Sequence, residues 1–352
     1  MNGTDLSTYR VVKKNQFAFN PMHVGRDEVL PISMLEDDEP IIVSPAYVVF
    51  EVKDEEELLP AYLMMWCRRS EFDRNAWFMT DNSVRGGFSW TDFCDMELPV
   101  PSIEKQREIV REYNVVNDRI ALNEQLTQKL EDTAQTIYKQ WFVDFEFPIS
   151  KEYAESIGKP ELEGKPYKSS GGEMFFCESK TEESIPINWS NGTLESLYKF
   201  QYGKGNNNPS NGGVFPVYGS NGVIGGYDSF NAEDSPVIGH IGANCGSLVF
   251  AFGKHYVTYN GVICNALDDM GKYFSYVTLC IKDLQSQTRG SSQPFVSYDM
   301  LYGIQAVIPS QDVKDKYESL ASVLFEKIRA AQKEISILEQ MKTIILQRIS
   351  KA

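Results

Sequence analysis

Histidine is scarce in this chain, with only His23, His240 and His255 among 352 residues. A histidine-based metal centre or catalytic triad is therefore poorly supplied. The six cysteines are scattered without a C-x-x-C pair, which reads as thiols in a reducing cytoplasm and not as a disulfide framework or zinc site. Long apolar runs are missing too. The richest, Ala61 to Trp66, is far too short to cross a bilayer. The opening Met1-Asn2-Gly3-Thr4-Asp5 lacks the apolar core of a signal peptide. These absences predict a soluble cytoplasmic protein with no membrane partner. Enzymatic signatures are absent as well. No G-x-x-x-x-G-K-[ST] binds a nucleotide, and no Gly-rich cofactor loop follows a strand. Asn20-Pro21-Met22-His23 is not the N-P-P-aromatic run of an amino-methyltransferase, and no carboxylates pair with a lysine as in a nuclease. We expect a non-catalytic chain with no cofactor of its own. Cations are outnumbered, 34 Lys and Arg against 49 Asp and Glu, for a net charge of −15. That argues against a uniformly cationic nucleic-acid surface. A local basic face stays open, because the acids cluster in Asp27 to Glu39, Asp54 to Glu57 and Glu161 to Glu183.

What the chain has is a repeat. A stretch ending in Leu98-Pro99-Val100-Pro101 leads into a long amphipathic segment, Glu104 to Phe142, and one ending in Ala306-Val307-Ile308-Pro309 leads into another, Asp312 to Ile349. The offset is 208 residues (Ser297 minus Ser89). The first apolar seam runs Ile109, Tyr113, Val116, Ile120, Leu130, Ala134, Ile137, Trp141. Its copy runs Tyr317, Ala321, Leu324, Ile328, Leu338, Lys342, Ile345, Ile349. Only Lys342 breaks the match, and Met341 beside it is expected to fill that layer. Upstream, Ser89-Trp90-Thr91-Asp92-Phe93 corresponds to Ser297-Tyr298-Asp299-Met300-Leu301. Spacings of three and four over about five heptads predict a coiled coil, with each helix nearly 60 Å long at about 1.5 Å per residue. Such a stripe needs a partner, and the two copies are expected to pair antiparallel.

The expected architecture is α+β: two β-rich domains separated by two long antiparallel coiled-coil helices. Residues 1–101 form the first domain, with short strands at Ile41 to Val43 and Tyr47 to Val52 and one helix from Leu58 to Phe72. Residues 102–147 hold the first helix, 148–184 a Gly/Ser/Lys/Glu-rich linker, 185–309 a second domain dense in Gly, Asn and aromatics, and 310–352 the second helix.

Leu130 to Phe145, with Trp141-Phe142-Val143-Asp144-Phe145 at its end, resembles the central region of type I restriction–modification specificity subunits. Gly164-Lys165-Pro166-Tyr167-Lys168-Ser169-Ser170-Gly171-Gly172 fits the same family. Ile185-Pro186-Ile187-Asn188-Trp189 is similar to the opening of a target-recognition domain, and Tyr218-Gly219-Ser220-Asn221-Gly222 fits the interior of one. The motifs follow the family's order over nearly the whole chain. The resemblance implies a subunit that reads double-stranded DNA, one half-site per globular domain, with the helices as a ruler. It implies docking of methyltransferase (M) and restriction (R) subunits that carry the S-adenosylmethionine, ATP and Mg chemistry. One departure stands out. Subtracting 208 from Trp189 gives a position before residue 1, so the first domain lacks the counterpart of Ile185 to about Asn208. A second copy of the chain, or another specificity fragment, is a candidate to supply that part. A non-reading dimerisation scaffold is the alternative.

Candidate DNA-binding residues follow residue type and setting. In the second domain the loop Gly239-His240-Ile241-Gly242-Ala243-Asn244 offers His240 and Asn244, at a place where related domains often carry arginine. Lys204 with Asn206 and Asn207 supplies a cation for phosphate and amides for adenine edges. Ser220 and Asn221 fall in the resembling motif, Tyr259 and Asn260 follow a β run, and Arg289 and Gln293 flank an Arg-Gly turn repeated at Arg85. In the first domain Asn20, His23 and Arg26 form the comparable cluster. Each also has a plainer reading as a solvated turn. Trp141, Phe142 and Phe145 are candidate partner-docking residues, with burial where the helix meets the globular part as the competing reading.

Overall fold

The structure is a computed structural model that describes residues 6–22, 28–80, 87–169, 174–176, 184–205, 212–267, 271–290 and 293–349. In chain order its elements are strands β1 (Arg10–Val12), β2 (Phe17–Phe19), β3 (Ile32–Met34), β4 (Ile41–Val43) and β5 (Val48–Phe50), then helices α1 (Pro60–Cys67), α2 (Ser70–Met79), α3 (Trp90–Cys94) and the long α4 (Ile103–Phe142). There follow β6 (Glu146–Pro148), α5 (Lys151–Ser156), β7 (Pro166–Lys168), β8 (Met174–Phe176), β9 (Ser184–Pro186), β10 (Ser190–Thr193), β11 (Tyr198–Tyr202), β12 (Phe215–Gly219) and β13 (Gly222–Tyr227). The chain closes with β14 (Ala232–Gly239), β15 (Leu248–Val257), β16 (Gly261–Ala266), α6 (Lys272–Cys280), α7 (Tyr298–Tyr302), β17 (Gln305–Ile308) and the second long helix α8 (Gln311–Arg348). The expected α+β class is observed. No helix among the described residues is long and apolar enough to cross a membrane.

Two compact units result, Met1–Glu124 with Gln332–Ala352, and Gln125–Ala331. Each long helix contributes to both. In the first unit α4 and α8 run antiparallel. Arg119 forks onto Glu334 at 2.7 and 3.1 Å, and Arg348 meets Glu112 at 2.5 Å. Beneath these exposed pairs Ile109, Tyr113, Val116 and Ile120 are buried with Ile345 and Ile349. In the second unit Ala134 and Trp141 are buried with Tyr317, Ala321 and Ile328, and the Tyr317 hydroxyl donates to the Ala134 carbonyl at 2.9 Å. The period-3.6 seam thus selects the inward face wherever the residue is apolar.

At the one break, the expected substitution of Met341 for Lys342 is not what happens. Met341 is 45% exposed. Lys342 lies half-buried instead, its ammonium 5.8 Å from the Tyr113 ring centroid and 3.8 Å from Glu339. A lysine can bury its stem while its head stays wet, so the layer keeps its geometry without apolar filling. Replacing Lys342 by Leu is expected to raise the unfolding free energy of this unit by about 1 kcal/mol, because a polar residue on a coiled-coil seam costs stability. Denaturant titration checks it.

The three-stranded sheet of the first unit has the order β3-β2-β5, all antiparallel, and β1 pairs with β4. The second unit has a six-stranded sheet, β11-β16-β14-β15-β12-β13. Its centre repeats the first unit. Ala18 faces Val49 in one, and Val237 faces Ile263 in the other. Phe88 donates its N–H to the Pro21 carbonyl (2.9 Å), and Val296 donates to His240 (3.1 Å). Ser89 and Ser297, next in sequence, occupy the N-caps of α3 and α7. So β2, β3 and β5 correspond to β14, β15 and β16, and among the described residues the first unit has no counterpart of β10 to β13.

Two local expectations change. The helix expected from Leu58 to Phe72 is two helices. Pro60 starts α1 at N1, where its missing N–H costs nothing, and extended backbone at Arg69 starts α2 afresh. The expected linker is partly folded. β6 pairs with β7, and Phe147, Ile149 and Ala154 are buried. The few apolar residues in a polar stretch were enough to anchor it.

Candidate nucleic-acid interface

In the second unit, one end of the sheet gathers five loops. Gly203 leaves β11 so close to β15 that a Cβ there would lie 2.0 Å from the Thr258 carbonyl oxygen, a contact only glycine permits. Lys204 is tied on by its N–H to Val257 (3.0 Å), and the Tyr259 N–H reaches back to Gly205 (3.1 Å). Asn260 accepts the His240 N–H (2.8 Å), and Ser247 donates its hydroxyl to the Ser220 carbonyl (2.8 Å). Gly242 donates to Pro294 (2.9 Å), and Arg289 exchanges two backbone hydrogen bonds with Phe295 (3.0 and 2.8 Å). Lys204, Ser220, Asn221, His240, Asn244, Tyr259, Asn260, Arg289 and Gln293 therefore lie on loops that meet. Along the sequence they span Lys204 to Gln293.

Their side chains differ in availability. Lys204, Asn221, Asn244, Tyr259, Asn260, Arg289 and Gln293 are exposed and Ser220 is half-buried. His240 is 5% exposed. Its Nδ1–H donates to the Val296 carbonyl at 2.7 Å, and its ring lies 4.4 Å from Tyr202 and 5.7 Å edge-on from Tyr259. Burial pushes its pKa down, opposed by the Val296 carbonyl. A neutral imidazole wedged between two rings braces Tyr259 from behind; it is not a free cation. Asn206 and Asn207 lie outside the described residues, as do His23, Arg26 and Arg85. Asn20 begins the corresponding loop of the first unit, where its carbonyl Oδ1 accepts the Met22 N–H at 3.0 Å and shapes the turn.

Charge distinguishes this end of the sheet. Residues 202–205, 219–222, 239–247, 258–261 and 288–290 with 293–297 contain Lys204 and Arg289 and no Asp or Glu, in a chain of net charge −15. Exposed rings accompany the cations: Tyr259 at 43% and Phe295 at 41%. Tyr202 stacks on Tyr298 at 3.9 Å, and its N–H donates to the Tyr298 hydroxyl. Sequence reasoning missed Tyr202, Tyr298 and Phe295 as site residues. The repeat held a signal for one of them, since Tyr298 is the counterpart of Trp90.

The docking assignment of Trp141, Phe142 and Phe145 is corrected. They are 4%, 2% and 6% exposed. Phe142 touches Tyr138, Trp189, Phe274 and Tyr317, and Trp189 stacks on Phe147 at 5.3 Å. Phe145 adopts φ 59° as the chain leaves α4, and its carbonyl accepts the Ser169 N–H (2.7 Å). The Trp-Phe-Val-Asp-Phe run and the Ile-Pro-Ile-Asn-Trp run are thus two halves of one aromatic core. Large rings at a helix end bury more apolar area inside than any surface role would keep.

His240 and the fully buried His255 carry a pH prediction. Burial lowers both pKa values from an unfolded value of 6.5. Below that value the unfolded chain binds protons that the folded chain refuses, so stability falls with pH. The denaturation midpoint of this unit is expected to drop between about pH 7.5 and 5.5, and to drop less in an H240N/H255Q variant.

No protein-family model matches the chain. Over 286 residues, 72% of the chain, it is 23% identical to the type I restriction enzyme MjaIX specificity subunit of Methanocaldococcus jannaschii, covering 60% of that protein. Over 152 residues, 42% of the chain, it is 28% identical to the type I restriction enzyme HindI specificity subunit of Haemophilus influenzae, covering 32% of that one. The chain thus spans less than two thirds of the length of either relative. The crystal structure of the type I restriction–modification S subunit from M. genitalium superposes with a TM-score of 0.53 at 15% identity, over 97% of this chain and 84% of that one. The fold is that of a type I restriction–modification S subunit. The resemblance carried by the sequence motifs, to the specificity subunits of type I restriction enzymes, is borne out by both comparisons.

Proposed function

We propose that this chain is the non-catalytic, DNA-reading specificity component of a type I restriction–modification complex. The observation that carries the reading is the convergence of Lys204, Tyr259, Asn260, Arg289 and Asn244 on loops at one end of the second unit's sheet, loops whose own residues include two cations and no Asp or Glu. Cations there suit phosphates, while amides and hydroxyls suit base edges. Under this reading the target is a bipartite double-stranded site, and the second unit reads one half through the major groove. The chain needs no cofactor; S-adenosylmethionine, ATP and Mg belong to methyltransferase and restriction subunits. The docking surface for a methyltransferase subunit moves from the buried Trp141 cluster to the paired helices of the first unit, where Val115, Leu122, Met341 and Ile344 are 63%, 53%, 45% and 58% exposed. An apolar stripe of that kind suits a partner helix. Methylation-site mapping with the cognate methyltransferase tests the proposal. Sites methylated only when this chain is present support it, and an unchanged methylation pattern on its removal overturns it.

A further inference from the structure

The two units share one sheet end but not its side chains. With Ala18 matched to Val237 and Val49 to Ile263, the flanking turns match too. Tyr47 donates its N–H to Ser44 (3.0 Å) as Gly261 does to Thr258 (2.9 Å), and Asn20 donates to Pro31 (3.2 Å) as Gly239 does to Ser247 (2.8 Å). By this register Pro45 and Ala46 stand where Tyr259 and Asn260 do, Pro21 where His240 does, and Gly87 where Phe295 does. At these four positions the first unit has no ring, amide or imidazole. A helix stands beside them instead. Residues 281–288 of the second unit form turns, which pass so close that a Cβ on Gly246 would lie 2.9 Å from the Gln285 Cα. Leu30, the equivalent of Gly246, donates its N–H to the Asp73 carboxylate at 3.2 Å. Asp73 belongs to α2, which thus docks at the same place. Phe72 and Ala76 of α2 are 1% and 0% exposed, while Arg74, Asn75, Trp77 and Phe78 face outward, Trp77 at 45% and Phe78 at 85%. The acids of α2 lie at its start and are engaged, Asp73 with Leu30 and Glu71 with Arg69 at 3.5 Å. Arg74 meets Glu71 only at 3.7 Å, and its side chain is 73% exposed.

We propose that this face of α2 is a second DNA contact, which grips duplex by stacking where the second unit reads it by polar groups. Phe78 enters a base step, Trp77 packs beside it, and Arg74 takes the flanking phosphate. The assignment rests on the DNA-reading proposal, because the interface of the second unit defines the place that α2 occupies. The chemistry of the face selects the ligand. From Arg74 to Met79 it offers one guanidinium, one amide and two rings, and no carboxylate. Arg74 and Phe78 are four residues apart, so the cation and the most exposed ring are neighbours on one helix face. Every base has a π face, so a stacking ring adds affinity without choosing a sequence. Apolar side chains that enter a base step also bend the duplex.

The test uses the full chain and a duplex labelled at both ends, followed by anisotropy for affinity and energy transfer for bending. F78S is expected to weaken binding about fivefold or more, equally for cognate and unrelated duplexes. Its salt slope should stay unchanged, because the ring carries no charge, whereas R74A should take about 1 from that slope. The end-to-end shortening of the duplex should fall in F78S and return in F78W. A side chain 85% exposed supports no core, so F78S should keep its circular dichroism and melting temperature. Wild-type affinity and bending in F78S overturn the inference; the reading of the second unit still stands if K204A/R289A weakens binding. Wild-type DNA affinity in F78S with loss of methyltransferase binding overturns it as well, by giving the rings to a protein. A wild-type chain that binds no duplex overturns both proposals.

Discussion

Truncating Phe142 to alanine is expected to lower the unfolding free energy of the second unit by about 3–5 kcal/mol, the usual cost of removing a buried phenylalanine from a packed core. The ring joins four parts of the chain: Tyr138 on its own helix, Trp189 ahead of β10, Phe274 on α6 and Tyr317 on α8. Neighbours held by four separate segments cannot all move in to fill the void, so the cost belongs at the upper end of that range. At about 2–4 °C per kcal/mol for a unit of this size, the melting temperature should fall by roughly 10 °C. Val143→Ala is the matched control, because Val143 is 52% exposed and should change stability by less than about 0.5 kcal/mol. Calorimetry on both variants checks the contrast. Equal losses would return the aromatic run to the surface and restore its docking role.

Removing the two cations of the candidate interface is expected to weaken DNA binding and to flatten its salt dependence. Each phosphate contact by a lysine or arginine contributes about 0.9 to the slope of log K against log salt, so a K204A/R289A variant should lose about 2 from that slope. The loss should be similar for cognate and unrelated duplexes, since phosphates carry no sequence. Asn260→Ala should behave differently. An amide on a base edge discriminates by about 1–3 kcal/mol, so this variant should lose affinity for the cognate site and keep its affinity for others. His240→Asn separates the brace from the reader. If His240 acts through Tyr259, its loss should resemble Tyr259→Ala in specificity and leave the salt slope unchanged. Fluorescence anisotropy from about 50 to 200 mM salt measures all four. An unaltered slope in K204A/R289A would remove this end of the sheet from the interface.

The sequence by itself determined the parts of this protein governed by local periodicity. The two long helices, their apolar faces and their matching positions were legible because burial on a helix repeats every 3.6 residues and leaves its mark residue by residue. Ser89 and Ser297 match by the same offset, and both stand at helix N-cap positions. Motif resemblance pointed to the same kind of relatives that comparison of the chain found, for a related reason, since the Trp141 and Trp189 runs are each contiguous. What those runs do was not legible. Whether Phe142 faces solvent or a core depends on Trp189, Phe274 and Tyr317, and no local pattern links residues so far apart. The interface is the same case. Lys204, His240, Asn260 and Arg289 could be named one by one as turn residues of the right chemistry, but only sheet pairing brings their loops together. Sheet pairing also buries His240 and turns it from a contact into a support. A residue's place at that end is set by register between strands far apart in the sequence, which no local pattern carries.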